Sequence, residues 1–235
     1  MVMRDVDFQG FNETVTDDIL CGFEGYFTLI GSNGGVKATL GEAVEPTQTV
    51  ALTEGFANTS SLTDNTTDKT EYSYSINSDG QLEFTLNAGR TSDVTLMYNG
   101  SVNGKTYDQF DRTKKTVIEF ELQVDNSADS EFEAALELKN WNTIVASVGF
   151  AKGQLKAQWG FPGVTVDDQV HKIKIISDPG TKTIDVYLDG SLVLSGAGFL
   201  QSQTSWNQVA FLLKGNNGGN AMSACFDNLV IAVEE

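Results

Sequence analysis

Three tryptophans and the amides around them are the side chains of this chain whose grouping suggests a chemistry. Trp141 stands between Asn140 and Asn142, Trp159 precedes Gly160-Phe161-Pro162, and Trp206 follows Gln203-Thr204-Ser205. An exposed indole stacks on the apolar face of a pyranose while nearby amides bond its hydroxyls, so such groupings suit sugar binding. Trp141 and Trp159 fall at strand ends or turns, where exposure of at least one is expected. Trp206 precedes an apolar strand and reads as core. The Gly-rich run 215–221 offers Asn216 and Asn217 as further amides, or else is a plain hairpin loop.

Groups for catalysis are sparser. A single histidine, His171, rules out a multi-histidine zinc site. A Ser-His-Asp triad would have to use it, and no GxSxG elbow accompanies it. Glycoside hydrolysis needs two carboxylates facing one sugar. Glu119 and Glu121 alternate on one predicted strand, with Asp129, Glu131 and Glu133 beyond, but Val117 and Gln123 flank them and no E-x-D-x-E spelling occurs. They read as the solvated side of a strand. The three arginines, Arg4, Arg90 and Arg112, form no lyase pattern. Binding therefore outweighs catalysis, and a glycan hydrolase or lyase remains the alternative.

The elements that must carry these residues are strands. From Lys172 to Ile176 basic and apolar residues alternate, Asp178-Pro179-Gly180 turns the chain, and Ile184, Val186 and Leu188 share one face of the next run. Asp189-Gly190 is a two-residue hairpin signal leading to Leu192 and Leu194, which makes a three-strand meander. Further strands are predicted over Gln81–Leu86, Val94–Tyr98, Thr116–Val124, Phe132–Leu138, Thr143–Phe150, Leu155–Trp159, Asn207–Leu213 and Ala224–Val233. No segment makes a convincing amphipathic helix. Residues 31–70, rich in Gly, Thr, Ser, Asn and Asp, read as a long surface excursion. Regular short strands between turn signals predict an all-β sandwich, one domain over residues 1–235.

The segment VHKIKIISDPGTKTIDVYLDG resembles the laminin G-like, concanavalin A-like jelly rolls, with Val170 where an aromatic is usual. The opening DVDFQGF and the closing CFDNLVI resemble first and last strands of the same superfamily. The resemblance implies two antiparallel sheets, with both chain ends side by side in one of them. It does not imply one activity, since lectins, carbohydrate-binding modules, glycosidases and lyases share the fold. It also implies a structural calcium as a candidate, with Asp227 in the terminal strand and Asp5, Asp7 and Glu24 as companions. If the ends are neighbours, Cys21 and Cys225 either form a disulfide or remain two buried thiols.

Charge bounds the partners. Fifteen basic against 32 acidic residues give a net −17, which argues against nucleic acid and anionic membranes. No apolar run reaches the length of a transmembrane helix. The opening MVMRDVDF lacks an apolar leader core, so an extracellular or cell-surface address implies a signal already removed. The expected partner is a polysaccharide or other glycan. A structural or adhesive surface protein, a virion appendage included, is the third reading.

Overall fold

The computed structural model describes residues 27–32, 35–40, 48–64, 70–88, 93–98, 113–125, 133–214 and 221–234. Two compact units divide the chain, Met1–Thr47 and Gln48–Glu235. In the first unit, strands β1 (Phe27–Ser32) and β2 (Gly35–Leu40) pair antiparallel, from Phe27 opposite Leu40 to Ser32 opposite Gly35.

The second unit is a sandwich of two antiparallel sheets. Its smaller sheet orders six strands as β11 (Gln154–Ala157), β10 (Thr143–Ala151), β9 (Glu133–Asn140), β15 (Gln208–Lys214), β7 (Val94–Tyr98) and β4 (Leu62–Asp64). The larger runs β14 (Ser191–Gly198), β13 (Thr183–Leu188), β12 (His171–Asp178), β8 (Thr116–Val124), β16 (Met222–Glu234), β6 (Leu82–Leu86) and β5 (Tyr72–Ile76), with β3 (Gln48–Glu54) also on β16. The predicted meander is β12–β13–β14. Among the described residues the helical content is two three-residue 3-10 turns, Thr59–Ser61 and Leu200–Ser202.

Alternation decides which face goes inside. In β8, Ile118, Phe120, Leu122 and Val124 are buried, while Glu119, Glu121 and Gln123 on the other face are only partly covered. The same period in β6, β7, β12 and β13 brings apolar rows together between the sheets. Phe211 of the smaller sheet meets Phe226 of the larger at 4.9 Å between ring centroids and Phe56 edge-on at 5.5 Å. Fully burying such a side chain contributes roughly 1.5–3 kcal/mol.

Residues 31–70 depart from the expected surface excursion, since β2, β3 and β4 all lie there. Gln48-Thr49-Val50-Ala51-Leu52-Thr53-Glu54 carries few large apolar residues, yet β-branched threonine and valine suit a strand with a partner. That partner is β16, along Leu229–Glu234. β16 takes β8 on its other side and β6 along Met222–Phe226. Its register slips between Asp227 and Val230, where Asn228 has φ 51, so a bulge marks the change from β6 to β3.

Candidate functional site

Both candidate tryptophans occupy tight turns at the same end of the smaller sheet. β9 turns into β10 through Trp141 and Asn142, with Asn140 opposite Thr143. Trp141 has φ 54, at a position that glycine ordinarily fills in two-residue hairpins. Its amide N–H donates to Asn207 Oδ1 at 2.9 Å, and the Asn207 amide donates to the Lys139 carbonyl at 2.7 Å. β11 ends in a second two-residue turn, Gln158-Trp159, closed by reciprocal Ala157–Gly160 hydrogen bonds of 2.9 Å. Gln158 has φ 49 and Trp159 φ 64, the φ pattern of a type I′ turn, which favours Asn-Gly. The indoles are 72% and 52% exposed, and Phe161 beside the second is 47% exposed. Trp206, by contrast, is buried, as expected.

One segment ties the two turns together. Gln158 Nε2 donates to the Gly198 carbonyl at 2.7 Å, and Asn140 Nδ2 donates to Gln203 Oε1 at 3.1 Å. Residues 198–203 thus run from the neighbour of Trp159 to the neighbour of Trp141. Five residues reach at most about 18 Å fully extended. Gln201 and Ser202, both exposed, have φ 53 and 55, which shortens the reach further. Of the ten non-glycine residues with positive φ among those described, five belong to these two turns and this segment, so backbone strain concentrates here. Asn142, Gln201 and Ser202 supply exposed polar groups, while Asn140, Gln158, Gln203 and Asn207 are engaged in the hydrogen bonds that hold the turns; none of them is charged.

A second cluster joins Glu133, named above, to Glu137, which the sequence reading did not single out. Glu133 and Glu137 lie on the face of β9 turned away from the sandwich core, yet they are only 4% and 3% exposed. Glu133 pairs with Lys156 of β11, and Glu137 with Lys139 at 3.5 Å. Burial pushes the Glu137 carboxyl up; Lys139 pulls it down, and the charges of Glu133 and Asp93 raise it again. Ala135, Ser147 and Ala210 share this covered face. The available signal was the i, i+4 glutamate spacing across Glu133-Ala134-Ala135-Leu136-Glu137, masked by the small apolar residues between.

Glu119 and Glu121 do share the outer face of β8. Glu119 pairs with Lys172 at 2.6 Å, and Glu121 accepts from Asn228 Nδ2 at 3.0 Å. Each of the two carboxylates is thus held by a side chain of an adjoining strand. Asp227 stands opposite Glu121 at the bulge and accepts from the Asn228 amide at 2.8 Å. Burial raises its carboxyl, the Asn228 amide lowers it, and the Glu121 charge adds to the rise. Asp5 and Asp7 lie outside the described residues. Among the described residues no group of three or more His, Cys, Asp or Glu side chains is arranged to hold a metal, and Asp227 is the one member of the suggested calcium set that lies among them.

His171 is a structural clamp. Its Nδ1 lies 2.7 Å from Asp189 Oδ2, its Nε2 lies 3.0 Å from Asp167 Oδ1, and Phe150 packs edge-on against the ring at 5.5 Å. Cys225 carries a free thiol, pushed up by burial and by the charges of Glu83 and Asp79. Cys21 lies outside the described residues, as do Asn216 and Asn217. β15 ends at Lys214 opposite Glu133, at the end of the sheet away from Trp141.

No family model matches the sequence, and no curated protein matches it. Solved structures do. A sialidase superposes with a TM-score of 0.60 at 9% identity, over 77% of this chain and 18% of its own length. The fold is the concanavalin A-like jelly roll. The Lotus tetragonolobus seed lectin has the same jelly roll, with a TM-score of 0.52 at 13% identity over 77% of this chain and 96% of its own. So has the CBM2 module of the Lactobacillus casei BL23 phage J-1 evolved Dit, at 0.52 and 12% over 81% and 98%. At such identities the likeness establishes the architecture, and any role for the Trp141–Trp159 end of the jelly roll rests on its own geometry.

Proposed function

We propose that this jelly roll is a non-catalytic glycan-binding module whose site is the Trp141–Trp159 end of the smaller sheet. The observation that carries the reading is that two exposed indoles sit at positive-φ turn positions. Neither burial nor backbone preference accounts for tryptophan there, because water would sooner meet a polar side chain and the turn would sooner take glycine. A pyranose face accounts for both. The uncharged amides alongside suit its hydroxyls. The names of similar structures, a lectin and a carbohydrate-binding module among them, agree with this reading. An extracellular or cell-surface address is part of the proposal.

A glycan array tests it. The whole chain is expected to bind at least one glycan, and the Trp141→Ala/Trp159→Ala double variant to lose that binding while keeping its fold. Absence of any binding on a broad array overturns the reading.

A second reading, a glycan-degrading enzyme, draws on Glu133 and Glu137. Two carboxylates on one strand face, one raised by burial and one held against an ammonium, is how acid and base roles separate. Their nearly complete burial and their lysine partners weigh against it. Release of reducing ends from a bound glycan, lost in Glu137→Gln, would establish it; a bound but uncut glycan leaves the module reading.

A further inference from the structure

We infer that the two tryptophan turns engage one continuous glycan chain, so the ligand is an internal stretch of a neutral, linear polysaccharide rather than a terminal sugar. The inference rests on the glycan-binding reading and goes beyond it to the ligand class and the mode of binding. Three observations carry it.

The platforms are held at a set spacing. Trp159 adjoins Gln158, which bonds one end of residues 198–203, and Trp141 adjoins Asn140, which bonds the other end. The anchors are thus no more than about 18 Å apart. They are not adjacent either, since the Gln158 amide meets Ser147 of β10 while the Trp141 turn lies beyond Thr143, four residues along that strand. At about 3.3 Å per residue that is roughly 13 Å. On that backbone spacing the two indoles are read as separate platforms for successive units of one chain.

Exposed polar residues fill the gap. Gln201 and Ser202, both exposed, belong to the segment whose two ends are bonded beside the tryptophan turns, so they are the hydrogen-bonding groups offered to the middle of a bound chain. Each end of the strip is fixed by side-chain hydrogen bonds, which limits the ordering cost on binding.

Charge selects the ligand. The strip contains no ionised side chain, and the nearest strand lysine, Lys139, is mostly covered and already paired with Glu137. Against a net −17, a polyuronate or sulfated glycan would meet overall repulsion, with the exposed Lys182, whose carbonyl accepts from the Phe199 amide at 2.8 Å, as a single cation beside the strip.

The experiment has two steps. The whole chain is first run in native affinity gels cast with soluble neutral polysaccharides: a β-1,4-mannan, a xylan, a β-1,3-glucan and an α-1,4-glucan. The polymer that retards it is then cut into a ladder, from monosaccharide to octasaccharide, for titration calorimetry. Affinity is expected to climb about a hundredfold from the shortest binding oligomer and then level off, as linked contacts act together. Trp141→Ala and Trp159→Ala should each lower the octasaccharide affinity at least tenfold while leaving the shortest oligomer's affinity nearly unchanged in one of them. Should either alanine variant unfold, glycine at the same position replaces it, matching the φ > 0 backbone.

The failures separate. No retardation by any polymer overturns both the glycan reading and the inference. Retardation untouched by either variant puts the glycan site elsewhere and overturns the inference. Loss of binding in the variants with no dependence on chain length, or in one variant alone, keeps the glycan reading and overturns the two-platform mode.

Discussion

The backbone amide of Trp141 donates to the side chain of Asn207, a buried residue immediately before β15, so an exposed indole is mounted on an interior amide. The strand order explains the reach: β15 is the neighbour of β9 in the smaller sheet, and its first residues pass beside the β9–β10 turn. Asn207→Ala leaves the Trp141 N–H without that acceptor. A stability loss of about 1–2 kcal/mol is expected in urea denaturation. Glycan affinity should fall even though Trp141 itself is retained. Unchanged binding would show that the turn holds its shape without Asn207.

Trp141→Gly should separate stability from function. A left-handed backbone costs an L-residue about 1–2 kcal/mol, and the extra freedom of glycine in the unfolded chain returns part of that. With the indole largely in water, a net gain of about 0.5 kcal/mol is expected in thermal or urea midpoints, together with loss of glycan binding. A lowered midpoint would mean that the indole packs on the protein rather than waiting for a ligand.

Gly149 and Gly190 predict opposite extremes of glycine replacement. A Cβ on Gly149 would stand 2.0 Å from the Ala134 carbonyl oxygen across the β9–β10 pair, a backbone contact that cannot step aside. Gly149→Ala should therefore cost at least about 3 kcal/mol. At Gly190, φ is 82 and a Cβ meets nothing within 4 Å. Gly190→Ala should lose only the conformational preference, about 1 kcal/mol. Equal midpoints for the two would contradict the close approach of β9 and β10.

Two aspartates give opposite pH dependence. Burial works against ionised Asp189, but the His171 hydrogen bond, the Lys172 amide and the His171 charge outweigh it and hold the carboxyl below its ordinary 3.8. Its contribution is present above the unfolded value and is lost as pH falls through the lowered folded value. Asp189→Asn should therefore weaken the protein at pH 6 and match the parent in strong acid. Asp227 is raised, so its contribution is present below 3.8 and is lost as pH rises through the folded value. Asp227→Asn should accordingly stabilise at pH 6 and match the parent below that range. Urea midpoints from pH 2.5 to 7 check both signs.

Alkylation decides the cysteines. Cys225, on the outer side of β16 with Asn77 Nδ2 3.8 Å from its sulfur, should react in denaturant without reductant, giving a mass increase for two alkyl groups if Cys21 is also free. A mass with none added would establish the bridge and support an oxidising address.

The strands with large residues on one face were legible in the sequence to within a residue or two. Val94–Tyr98 and Thr116–Val124 match the predicted bounds, because each alternates without interruption. β3 and β4 were not legible, since their apolar residues are few and β3 owes its place to β16, at the far end of the chain. The turn positions of Trp141 and Trp159 suggested exposure correctly. Their union did not show, because it depends on Gln158 and Asn140 reaching residues 40 and 63 positions away. The pairing of Glu133 with Glu137 on a covered face escaped notice for a related reason: alternation tells inside from outside, but not that the outside is covered.

The double pairing of β16 also constrains how the molecule assembles. β8 and β6 never touch as neighbours; β16 is the strip that joins them, and each of its pairings reaches back a hundred residues or more. The meander and the β5–β6 hairpin can form early from local contacts, but the larger sheet stays in two pieces until its central strand arrives. Such long loops must close before any contact rewards them, which places this chain among the slower folders. Substitutions in β16, such as Phe226→Ala, should then slow refolding more than they speed unfolding, marking this strand as the rate-limiting seam.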